Sequence, residues 1–265
     1  TTDLSFCAPQ NGESAGSAPG LLATATALRV DIWKLSKTQK RKRATMISMT
    51  LPMKSSLFKL SENSLSKLRN KIEEDGQVIV TGDKLGKIEL IEIRQKIALR
   101  TYPNEHKNQI NYLDFSQTKG RLSHVQTRLL GNILTSKIAG AVFTCQAAHS
   151  DNIKQVQFLP GTEDQVLSGS VDKVLKLWEI DPSNEDDPYK FLSSVQLNEA
   201  IERFIVINRD EKTIILVANG NLLSLVELNE HKMLVCLQSI HVFQKPIQSI
   251  SYDKIRQRII AGGLD

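Results

Sequence analysis

The segment HSDNIKQVQFLPGTEDQVLSGSVDKVLKLWEID, from His149 to Asp181, constrains the fold of this chain more than any other stretch. An alternating run with Ile153, Val156 and Phe158 follows the histidine, and Pro160 and Gly161 break it with a turn. A second strand is expected around Val166 and Leu167. A tight turn at Ser170 to Lys173 then leads into Val174, Leu175, Leu177 and Trp178. Apolar and polar residues alternate where one face of a strand packs on a neighbour. Asp172 lies in the turn six residues before Trp178, placed to accept a hydrogen bond from the His149 ring. The ring can reach the hydroxyl of Ser168 or Ser170, and that hydroxyl can reach the Trp178 indole N–H. A buried polar chain of this kind is stable only when every member is satisfied.

With twenty-eight residues between His149 and Trp178, this is the pattern of one WD-type propeller repeat. One four-stranded blade cannot bury both of its faces, so weaker copies must lie elsewhere. LLATATALRVDIWKL (Leu21 to Leu35) reads as strand, turn and strand ending in Trp33, and VIVTGDKLGKIELIEI (Val78 to Ile93) repeats that shape with Asp83 in the turn. TIILVANGNLLSLVEL (Thr213 to Leu228) does so with Asn219 and Gly220, and RIIAGGLD (Arg258 to Asp265) supplies a further start. The turn aspartates 83, 172 and 265 are separated by 89 and 93 residues, two periods of the roughly 40–45 of this repeat. Weak copies, among them Ile138 to Cys145, fill the gaps. The expectation is an all-β WD-repeat β-propeller over residues 1–265, with about five blades and part of a sixth, and seven in the full protein. Asp265 falls where the turn of a sixth blade should begin, and Thr1 lies inside what reads as a first strand carrying Thr2, Leu4 and Phe6. On this reading further sequence completes the ring. Residues 1–265 alone, with Ile259, Ile260 and Leu264 beside an open edge, are not expected to be independently stable.

Forty per cent of the 265 residues are hydrophobic, enough for one large all-β domain. No apolar run approaches the roughly 18 residues of a membrane-spanning helix, and no signal-peptide pattern is visible at the start. Cys7, Cys145 and Cys236 are odd in number and far apart, so neither a disulfide framework nor a zinc spacing follows. Such usage suits a reducing cytosolic or nuclear compartment. A net charge of +5 permits nucleic-acid contact without requiring it.

Several stretches interrupt the repeat. KLSKTQKRKR (Lys34 to Arg43) follows the Trp33 strand. Its Lys37, Lys40, Arg41, Lys42 and Arg43 are candidates for phosphate contact or for a nuclear-import signal. The competing reading is a solvated loop whose charge discourages edge pairing. SENSLSKLRNKIEEDG (Ser61 to Gly76) places Leu65, Leu68 and Ile72 on one face of a short helix, read as a surface decoration or a partner-docking element. Gly120 to Gly131, with Arg121, His124 and Arg128, reads as another loop. DPSNEDDP (Asp181 to Pro188) reads as an acidic turn outside the ring.

No Gly-rich phosphate loop, HExxH pair or GxSxG elbow is present. The histidines at 106, 124, 149, 231 and 241 are scattered, and His106 and His149 occupy repeat-opening positions. His149, Ser168 and Asp172 share residue types with a hydrolase triad but would be buried in a blade. The chain is expected to be no enzyme and to carry neither cofactor nor metal.

In the order of its motifs the chain resembles the propeller of the WD-repeat U-three-protein fifteen family, of the t-Utp (UtpA) subcomplex of the small-subunit processome. TATALRVDIW (Thr24 to Trp33) is similar to the first blade, VIVTGDKLGKIELIEI to the second, and AAHSDNIKQVQF with VLSGSVDKVLKLWEI to the fourth. VQLNEAIERFIVI with VANGNLLSLVEL resembles the fifth, and PIQSISYD with RIIAGGLD the sixth. The segment from about Asn108 to Cys145 conforms poorly as a third blade, without Trp or turn aspartate. The basic run and the helical insertion depart from the family pattern. The resemblance implies a nucleolar, non-catalytic scaffold in ribosome biogenesis and pre-rRNA processing. Its partners would be other WD-repeat and helical subunits of a large ribonucleoprotein assembly, with pre-ribosomal RNA a candidate contact and no membrane. The alternative is a WD-repeat adaptor in another pathway, such as a ubiquitin-ligase substrate receptor.

Overall fold

The computed structural model describes residues 3–7, 20–25, 30–36, 45–47, 69–72, 78–82, 86–92, 95, 97–102, 110–115, 121–126, 131–137, 142–162, 164–181, 184, 188–209, 212–253 and 256–263. Among these the regular structure is all β, arranged in antiparallel sheets. The chain divides into two compact units, Thr1–Leu113 and Asp114–Asp265.

In the first unit, β1 (Asp3–Cys7), β2 (Gly20–Ala25), β3 (Val30–Ser36) and β4 (Thr45–Ile47) form one sheet in chain order. A second sheet follows from β5 (Arg69–Ile72), β6 (Val78–Gly82), β7 (Ile88–Glu92) and β8 (Ile97–Tyr102), with β5 lying against β1 and β2. All five residues of β6 are buried, as a Val/Ile run flanked on both faces requires. Strand β5 corrects the expected helix between Ser61 and Gly76: Arg69–Ile72 pairs with β6, Ile72 opposite Ile79. The three-to-four spacing of Leu65, Leu68 and Ile72 satisfies a helix locally. Pairing with the buried β6 satisfies the backbone of residues 69–72 instead, and tertiary context overrides local propensity. Asp83 lies outside the described residues.

Strand β9 (Ile110–Phe115) crosses the division between the units. It belongs to a sheet with β10 (Arg121–Gln126), β11 (Gly131–Lys137) and β12 (Val142–His149), in the order β12-β11-β10-β9. This corrects the loop expected over Gly120 to Gly131, since residues 121–126 pair with β11. The segment that conforms worst in sequence thus still makes four strands. Register, not a tryptophan or a turn aspartate, is what a sheet needs.

Three more sheets follow in the second unit. One is β13 (Ile153–Phe158), β14 (Gln165–Ser170), β15 (Val174–Ile180) and β16 (Tyr189–Gln196). The next is β17 (Ile201–Arg209), β18 (Lys212–Asn219), β19 (Leu222–Leu228) and β20 (Leu234–His241). The last described is a pair, β21 (Ile247–Asp253) and β22 (Arg258–Gly263). Each sheet is a meander of hairpins. The acidic stretch after β15 is one such hairpin loop, closed by the Asp181 N–H donating to the Pro188 carbonyl at 2.8 Å.

Successive sheets in the second unit pack on one another: β13 lies against β10 and β11, β17 against β13 and β14, β20 against β16, and β21 against β17 and β18. Leu167, Leu175 and Leu177 of one sheet and Phe204, Ile215, Val217 and Val226 of the next form a shared apolar core. Gly169 permits this approach, because a Cβ there would stand 2.8 Å from Ile201 Cγ2 and 3.1 Å from the Phe204 ring. Gly82 plays the same part in the first unit, 2.8 Å from Ile110 Cγ2. A side chain at either position would push the next strand away.

Candidate functional site

The four residues singled out in sequence come from three strands and a turn. His149 is the last residue of β12, Ser168 lies in β14, Asp172 in the β14–β15 turn, and Trp178 in β15. The sequence reading placed His149 at the opening of a blade. The structure instead ends the preceding sheet with it, opposite Gly131 of β11. The histidine therefore reaches across from one sheet into the next, and the repeat seen in sequence is offset from the sheet by one strand.

Three side-chain contacts link the four residues. His149 Nδ1 lies 2.9 Å from Asp172 Oδ2 and 3.1 Å from Oδ1. His149 Nε2 lies 2.7 Å from Ser168 Oγ, and the Trp178 indole N–H donates to that same oxygen at 2.8 Å. A carboxylate only accepts, so Nδ1 carries a proton. In the neutral ring Nε2 then receives the Ser168 O–H, whose oxygen accepts from Trp178. Every polar atom of the chain has a use. Ser170, the other candidate hydroxyl, donates to the Asp151 carbonyl at 3.2 Å and accepts the Asp172 N–H.

Asp172 is the hub. Its carboxylate also accepts backbone N–H groups from Val174 and Ser150, each at 3.0 Å, which fixes the turn to the end of β12. Burial works against the charged carboxylate, but the His149 hydrogen bond, attraction to that ring and the two backbone donors outweigh it. Together they lower its pKa from 3.8 to about 2. The next residue, Lys173, completes the turn in the left-handed region at φ 72, with its N–H donating to the Ser170 carbonyl at 3.2 Å. Lys176 roofs the assembly: its Nζ donates to the Ala148 carbonyl at 2.7 Å and lies 5.6 Å from the centre of the Trp178 ring. Phe191 of β16 meets that ring edge-on, with centroids 5.6 Å apart.

Chemically, the arrangement holds two sheets together. Ser168 is fully buried, and its oxygen is shared between His149 and Trp178. Among the described residues there is no group of three or more potential metal ligands, and no helix is long and apolar enough to cross a membrane. Lys37, Lys40, Arg41, Lys42 and Arg43 lie outside the described residues.

Two further clasps between sheets were not evident in sequence. Gln155 of β13 uses its side-chain amide on the backbone of β17: Nε2 donates to the Phe204 carbonyl at 2.8 Å, and Oε1 accepts the Phe204 N–H at 3.0 Å. The buried Asp114 of β9 accepts the Phe158 N–H at 3.0 Å. A polar residue inside an alternating strand is the only signal either leaves, and it says nothing of the partner. No protein-family model matches the chain, and no curated protein is significantly similar to it.

Proposed function

We propose that this chain is a WD-repeat β-propeller acting as a non-catalytic scaffold in ribosome biogenesis, a component of the small-subunit processome that supports pre-rRNA processing in the nucleolus. The observation that carries the fold half of this reading is the hydrogen-bonded chain His149–Asp172 and His149–Ser168–Trp178, which ties the end of one four-stranded sheet to the next. Meander sheets that pack one on the next in chain order support the same reading, as repeated blades do. The functional half rests on the order of motifs that resembles the U-three-protein fifteen family.

A scaffold of this kind works by rigid display. Strands locked by buried hydrogen bonds and apolar packing hold the connecting loops in place, so partners dock without the entropic cost of ordering a flexible surface. Its partners are the WD-repeat and helical subunits of a large ribonucleoprotein assembly, and no cofactor is called for. The basic run Lys37, Lys40, Arg41, Lys42 and Arg43 is the proposed contact for pre-ribosomal RNA phosphates or for nuclear import.

Affinity purification of the tagged full-length protein, followed by mass spectrometry and RNA sequencing, tests the reading. Recovery of processome subunits with the external transcribed spacer of pre-rRNA is expected. Recovery of ubiquitin-ligase subunits without pre-rRNA would replace it with the adaptor reading. A variant with alanine at all five basic positions separates the two roles of that run. Loss of a salt-dependent RNA affinity marks phosphate contact. Exit from the nucleus with RNA binding intact marks import.

A further inference from the structure

We draw no further inference here: the strongest candidate, the exposed apolar outer strand β20 with Val235, Leu237 and Ile240, is an unpartnered apolar face, and nothing in the structure shows what covers it.

Discussion

Two joints between neighbouring sheets in the second unit solve one problem with opposite chemistry. Where β12 meets the β13–β16 sheet, the joint is a polar chain through His149, Asp172, Ser168 and Trp178. Where β16 meets the β17–β20 sheet, the corresponding positions are apolar. Ile153 pairs with Ser170 as Ile201 pairs with Asn219, so Leu197 stands where His149 stands, four residues before the first strand. Val217 corresponds to Ser168 and Val226 to Trp178 by the same registers. All three are buried in the core shared with Leu175 and Leu177. The turns differ to match. Val171 to Lys173 make a three-residue turn with Asp172 at its centre, whereas Gly220 and Asn221 close a two-residue turn without a carboxylate.

The apolar joint is less tidy in its polar atoms. Ser224 donates to Asn219 Oδ1 at 2.8 Å, but the buried Asn219 Nδ2 has no hydrogen-bond partner. The polar joint leaves no such atom in its chain. The comparison separates two tasks. Apolar packing supplies strength without direction, whereas the polar chain supplies direction, since it closes only when the histidine, the turn and the indole share one geometry.

Substitutions can break the comparison at either joint. The largest effect is expected from Leu197→Ala, which removes a buried side chain at 4 % exposure and should cost about 2–5 kcal/mol in urea unfolding of the full-length protein. A cost under about 1 kcal/mol would show that Leu197 does not bear the joint. Next comes Asp172→Ala, which leaves the His149 Nδ1–H and two backbone N–H groups without their acceptor. It should destabilise by about 1–3 kcal/mol. An unchanged melting temperature would remove the polar chain from the stability of the molecule.

Acidification sharpens the same contrast. The Asp172 pKa is depressed from 3.8 to about 2, so its contribution is fully present above pH 3.8 and is lost as pH falls toward 2. Glu179, whose carboxyl is lowered chiefly by the hydrogen bond from Lys232, adds loss in the same direction. The informative measurement is therefore melting temperature against pH for the parent and for Asp172→Asn. The variant should show the shallower acid limb, and Leu197→Val should keep the parent's slope. Parallel curves for parent and Asp172→Asn would contradict the assignment. The smallest effect is expected from Lys173→Gly. Glycine relieves the left-handed backbone at φ 72 but gains freedom when unfolded, so a stabilisation within about 1 kcal/mol is expected from thermal unfolding.

The two joints also differ in how they show in sequence. Histidine, serine, aspartate and tryptophan are each uncommon at interior positions, so their spacing identified the polar chain, but it read as lying within one blade and not as a joint between two sheets. Leucine and two valines at the other are indistinguishable from any β-core residues, and nothing marks Leu197 as the counterpart of His149. The same limit hid β5 and β10. Leu65, Leu68 and Ile72 carry a helical spacing, yet residues 69–72 follow their neighbour β6. Arg121 and His124 read as loop, yet residues 121–126 follow β11. Pairing with the next strand of a hairpin leaves no trace in the apolar spacing of the segment itself. The basic run was legible as composition alone.

The Gln155 amide recognises Phe204 through its peptide groups and not through its ring. Such a clasp is blind to which side chain occupies the facing position, but it counts residues, because a slip of one place along β17 presents the next peptide pointing the opposite way. What restricts substitution at that contact is therefore the apolar core around the Phe204 ring and not the clasp. An insertion or deletion between β13 and the clasp has to be absorbed in the loops, since the paired strands have nowhere to put it.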